Sequence, residues 1–120
     1  MATISYTSDF VKTFRDRVLI VTWPSLSQTG SDQGAPLEMP GFADRSVQVS
    51  GTFGSGGSVR IEGSNDGTNY AVLTDPQGNA LDITAAKIEA IMELTRYIRP
   101  RVTAGDGSTS LTVSMLIKRG

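Results

Sequence analysis

Hydrophobic and polar positions alternate along much of this chain, in short segments separated by turn-forming residues. The first segment is an exception. Val18-Leu19-Ile20-Val21-Thr22-Trp23 is a continuous apolar, β-rich run closed by Pro24, which predicts a strand buried on both faces. From Asp44 onward the period is two. Val47, Val49, Gly51 and Phe53 alternate with Ser46, Gln48, Ser50 and Thr52, and Val59, Ile61 and Gly63 alternate with Ser58, Arg60 and Glu62. With Gly54-Ser55-Gly56-Gly57 between them, the two runs predict a hairpin of half-buried strands.

Short strands follow at Tyr70 to Thr74 and Ala80 to Ile83, marked off by Asn65-Asp66-Gly67 and Asp75-Pro76-Gln77-Gly78-Asn79. Asp-Gly tolerates the positive φ of tight turns. Between Arg96 and Thr103, Ile98, Pro100 and Val102 oppose Tyr97, Arg99 and Arg101, and Pro100 predicts an edge or a bulge. The last strand is the cleanest: Leu111, Val113, Met115 and Ile117 alternate with Ser110, Thr112, Ser114 and Leu116. One segment follows a different period. Thr84 is a suitable N-cap, and Ala85, Ile88, Ile91, Met92 and Thr95 fall at helical spacing with Lys87, Glu89 and Glu93 outward, which predicts one short amphipathic helix.

Two stretches have no period. Residues 1–16 read as an extended N-terminal arm, polar with isolated Ile4, Tyr6, Phe10, Val11 and Phe14, in which Phe10 to Arg15 suggests a helical turn. Residues 24–42 are full of breakers and read as a long loop, partly laid down through Leu26, Leu37, Met39 and Phe42. The sum is an all-β chain: a jelly-roll β-sandwich of seven or eight strands at residues 17–120, with one short helix and the N-terminal arm.

Composition narrows the chemistry. The chain has 120 residues, one domain's length, with no Cys and no His. That excludes a disulfide framework, a thiolate nucleophile, a Ser-His-Asp triad and His- or Cys-ligated metals. A net charge of −1 offers no electrostatic footprint for nucleic acid or an anionic membrane. No stretch approaches the roughly 18–20 apolar residues of a membrane span. The start has neither the charged nor the apolar region of a signal peptide, so use without secretory export is expected.

The remaining candidates each have an ordinary reading. Glu62, Asn65, Asp66, Asp75 and Asp106 offer oxygens of the kind Ca²⁺ takes, yet they sit where turns favour Asx and do not match an EF-hand. The twelve acids show no pair placed for glycoside hydrolysis. Gly54–Gly57 joins two strand patterns, whereas a phosphate-cradling loop leads from strand to helix. Arg96, Tyr97, Arg99 and Arg101 form either a solvated face paired to nearby carboxylates or a contact between subunits, since Arg and Tyr are enriched in interface cores. An aromatic sugar platform has little material in one Trp and three Tyr.

Two stretches together carry a family likeness. They are Val59-Arg60-Ile61-Glu62-Gly63-Ser64-Asn65-Asp66-Gly67-Thr68-Asn69-Tyr70-Ala71-Val72-Leu73 and Arg96-Tyr97-Ile98-Arg99-Pro100-Arg101-Val102-Thr103, the latter followed by Gly105-Asp106-Gly107. This arrangement resembles the jelly-roll domains of small virion proteins of tailed bacteriophages, with a looser likeness to discoidin-type sandwiches, over residues 45–118. Within that set the chain most resembles a capsid cement, or head decoration, protein. The resemblance implies a non-enzymatic, cofactor-free homo-trimer, made in the host cytoplasm, that binds the major capsid protein on the outer surface of the virion. Its expected partners include neither nucleic acid nor membrane. Ile4, Tyr6, Phe10, Phe14, Leu26, Leu37, Met39 and Phe42 are the expected capsid contacts, unless they cover the sandwich's own open end. The alternative is a host-surface or carbohydrate-binding module of a tail or fibre.

Overall fold

In the computed structural model, residues 2–11, 17–29 and 31–119 are described. They form twelve strands: β1 (Thr3–Ile4), β2 (Thr7–Phe10), β3 (Val18–Ser27), β4 (Gln33–Gly34), β5 (Leu37–Glu38), β6 (Asp44–Thr52), β7 (Ser58–Ser64), β8 (Ala71–Val72), β9 (Asp82–Ile83), β10 (Lys87–Ala90), β11 (Tyr97–Ala104) and β12 (Ser110–Lys118). One sheet runs β10-β6-β12-β3-β2; the other has β11 and β7 at its centre, with β4 and β5 on one side and β8 and β9 on the other.

The pairings are nested. β3 pairs β12, β4 and β5 pair β11, β6 pairs β10, and β7 pairs β8 and β9, all antiparallel. The chain is therefore one long hairpin rolled over itself into two sheets, which is the jelly roll the alternation predicts. Inward side chains of both sheets meet in one core. Val21, Trp23, Val47, Val113 and Met115 come from the first sheet, and Val59, Ile61, Ile98 and Val102 from the second.

Four expectations need correction. No α-helix occurs among the described residues, and the segment expected to be helical contains β10, held to β6 with Lys87 opposite Val49 and Ala90 opposite Ser46. A run with apolar residues at 88, 91 and 92 satisfies a helical stripe and an edge strand equally, and pairing with β6 decides between them. Second, β3 is not buried on both faces along its length: past the buried Val18, Ile20 points outward at 39% exposure. Third, the stretch 24–42 is not one loop. β3 continues through a bulge at Pro24 and Ser25, the latter with φ 56°, to Ser27, and β4 and β5 then line up along β11.

Pro100 lies in a central strand, not at an edge. It opposes Ile61, whose N–H and C=O are turned away to Leu81 and Leu73. The missing proline N–H therefore falls on the other side of β11, where the ladder is interrupted between β5 and β4.

Candidate functional site

The two outer faces of the sandwich differ in chemistry. On the β11–β7 sheet the charges are closed on one another. Glu62 is 4% exposed and accepts from Arg99 Nε at 3.2 Å and from Arg101 Nη2 at 2.9 Å. Arg60 Nε donates to Asp82 at 2.9 Å, and Arg96 Nε to Glu38 at 2.6 Å. These hydrogen bonds raise both guanidinium pKa values above their ordinary value. The Arg99 guanidinium lies 3.7 Å from the Tyr70 ring centroid, and Arg96 lies 5.1 Å from that of Tyr97.

The strand register explains this order. Arg99 stands directly opposite Glu62 and Arg101 opposite Arg60, so Glu62 sits between two guanidinium groups while Asp82, opposite Arg60, offsets the third. Arg96, Tyr97, Arg99 and Arg101, expected as a subunit contact, are thus brought together on one face with partners inside their own chain. That is the self-neutralised face weighed in the sequence as their ordinary reading.

The outer face of the β6–β12–β3 sheet is different. Ile20, Ser46, Gln48, Ile88, Ser114 and Leu116 line a shallow depression of about 250 Å³ without a charged side chain. Leu116 stands opposite Ile20 in register, and both are exposed, as is Ile88. Asp9, Asp44 and Lys118 lie at the margins of this face, opposite Ile20, Lys118 and Val18. The sequence showed Leu116 as an outward position of an alternating strand, but Ile20, inside a continuous apolar run, looked like core.

The arm and the 24–42 stretch largely complete the fold. β1 extends one sheet by pairing parallel with β4, and β2 extends the other by pairing with β3. Ile4, Tyr6 and Met39 pack partly buried against the core, and Tyr6 meets Trp23 edge-on at 5.6 Å. Leu26, Leu37 and Phe42 are buried in that core. Their side chains therefore belong to the core and are not presented outward. Phe10 is the exposed member, 6.4 Å from the Phe42 ring. Phe14 lies outside the described residues, as does most of the expected helical turn.

No protein-family model, curated protein or solved structure matches this chain.

The acidic and amide residues serve turns. Asp66 accepts from the backbone N–H of Thr68 and Asn69, the Asn69 amide and the Ser64 hydroxyl, which holds its carboxyl far below the usual carboxylate range. Asp106 accepts from the Ser108 hydroxyl and from the N–H of Ser55 and Ser108, tying the β6–β7 loop to the β11–β12 loop. Among the described residues no group of three or more Asp or Glu is placed to hold a metal ion. Sequence reasoning also missed Arg45. This buried guanidinium donates to the carbonyls of Phe42, Met39 and Thr95 and so pins two connections to β6.

Proposed function

We propose that this chain is a structural virion protein, a capsid cement protein of a tailed bacteriophage that binds the major capsid protein on the outer surface of the shell. The observation that carries this reading is the contrast between the two faces. One has neutralised its charges internally, and the other presents Ile20, Ile88 and Leu116 among hydroxyl and amide groups with no charge at its centre. A flat apolar-polar face of this kind suits contact with protein, where burying an unpaired charge would be costly. It suits a sugar less well. Trp23 is fully buried, Tyr6 covers its edge, and Tyr70 and Tyr97 carry arginines, so no aromatic platform stands free among the described residues.

A protein of this kind works by adding binding area across joints between capsid subunits. Several copies acting together convert weak contacts into durable ones, because each further contact forms at high effective concentration. The test is co-sedimentation of the full chain with shells assembled from the major capsid protein alone. Binding is expected, and Leu116→Asp is expected to abolish it without unfolding the chain. Failure to bind shells, with retention on a glycan array, would overturn the cement role.

A further inference from the structure

The run from Ile88 to Leu94 has inverted polarity. Ile88, Ala90, Met92 and Leu94 are exposed, while Glu89, Ile91 and Glu93 turn inward, with Glu93 accepting hydrogen bonds from the Thr74 N–H and hydroxyl. Three of the six exposed large apolar side chains among the described residues lie on this one segment. It begins with β10, which pairs β6 on one side and ends the sheet on the other.

The open edge has usable backbone groups. The Ile91 N–H donates to the Arg45 carbonyl, continuing the β10–β6 register by one more pair. Successive residues of an antiparallel strand turn their backbone groups to opposite sides. Lys87, Glu89 and Ile91 therefore face β6, and Ile88 and Ala90 present N–H and C=O at the open edge. None of the hydrogen bonds outside regular strand pairing engages them.

We infer that β10 is the contact between two copies of this chain, paired antiparallel about a two-fold axis through Ile88. In that register the two Ile88 residues exchange both backbone hydrogen bonds, and Ala90 comes opposite Ala86 of the second copy. Lys87 comes opposite Glu89 of the second copy, twice per dimer, on the same side of the sheet. In one copy alone Lys87 Nζ reaches Glu89 only at 3.8 Å. Moving the axis one residue pair either way would set Lys87 against Lys87 or Glu89 against Glu89, which is unfavourable directly across strands. The charges thus select one register, and the strands join into a continuous sheet. The outward Ile88 and Ala90 gain apolar cover at that seam, which stops short of Met92, whose N–H donates to the Thr74 carbonyl of its own chain. Inward charges on an edge can also serve to block pairing; alternate and opposite as they are here, they are complementary to their own copy. The contact is two-fold and so differs from the three-fold assembly that the phage resemblance implies.

The solution mass of the full chain, by sedimentation equilibrium over a concentration series, tests this. A dimer is expected. K87E is expected to weaken it about tenfold, because both cross-strand pairs become repulsive, and K87E/E89K to restore it. I88P removes an N–H that β6 does not use and is expected to give a folded monomer, checked by its circular dichroism. A monomer at every concentration, a trimer, or a dimer unmoved by I88P and by K87E would overturn the assignment. Shell binding is read separately: if I88P is monomeric and still sediments with shells, the cement role stands without the dimer. A dimer that binds no shell keeps the edge contact and removes the cement role.

Discussion

The Arg99 guanidinium lies 3.7 Å from the Tyr70 ring centroid while its Nε donates to Glu62 at 3.2 Å. One side chain thus joins the aromatic at the start of the β8 connection to the buried acid of β7. Glu62 in turn is held by Arg101, so Tyr70, Arg99, Glu62 and Arg101 form one connected set. Glu62→Ala leaves two neighbouring cations without their shared acid and is expected to cost about 3 kcal/mol. Arg101→Ala is expected to cost under about 1 kcal/mol, because Arg101 is one-third exposed and Arg99 still holds Glu62. Urea unfolding of both variants checks the order.

Gly34 lies against the indole of Trp23. A Cβ there would come 2.6 Å from Trp23 Cδ1 and 2.6 Å from Pro100 Cδ. The indole is anchored by its Nε1–H, which donates to the Ala35 carbonyl at 3.0 Å, and by burial on all sides. Gly34→Ala is expected to destabilise the fold by about 1–3 kcal/mol through overpacking. It is also expected to shift the Trp23 fluorescence, which reports the displacement directly.

Arg45 places a cation in the core margin, and burial lowers its pKa. Its hydrogen bonds to the Phe42 and Met39 carbonyls, both at 2.8 Å, fix the approach to β6. Arg45→Ala removes the guanidinium donor from the Phe42 carbonyl and leaves Met39 only the Phe42 N–H, and is expected to cost about 2–4 kcal/mol. Hydrogen exchange is expected to quicken at the Phe42 amide, which donates to Met39 within the same turn.

Acid should loosen the loops before the core. Hydrogen bonds from the Ser108 hydroxyl and the Ser55 and Ser108 N–H groups hold the Asp106 carboxyl at about 2, and Asp66, Asp75 and Glu93 are lowered for similar reasons. A carboxylate with a depressed folded pKa adds stability that is present above the unfolded value of about 4 and is lost as pH falls through the folded value. The urea midpoint is therefore expected to hold from pH 7 to about pH 5 and to fall steeply towards pH 2. Asp106→Asn is expected to start lower at neutral pH and to show a shallower acid fall.

The strands with one buried face were legible in the sequence. At 47–53, 59–63, 97–102 and 111–117 every second residue must reach the core, and that requirement writes a period of two into the residues themselves. The same rule placed Leu116 outward but concealed Ile20. In the run Val18 to Trp23 an outward apolar residue beside inward ones reads as a strand buried on both sides, and only the exposure of Ile20 in the fold shows otherwise.

The candidate site was half legible. Arg96, Tyr97, Arg99 and Arg101 were picked out together because strand alternation puts three of them on one side of β11. The acids they meet, Glu38 on β5 and Glu62 on β7, lie 37 to 58 positions away in sequence, and only the fold brings those carboxylates within reach. Leu37 and Phe42 looked available because they lie on pieces too brief to show a period, and Leu26 because the bulge at Pro24 and Ser25 breaks the period of β3. β4 and β5 have two residues each and exist as strands because β11 offers them an edge.

By itself the sequence determined the all-β class, the alternating strands and their turns, and the absence of Cys and His chemistry, because each follows from local pattern or residue type. The tertiary structure decided which edge the 87–90 segment joins, which face keeps its charges and which is left uncharged. Those outcomes depend on strand pairing between distant parts of the chain, and pairing energy is not written in any one segment.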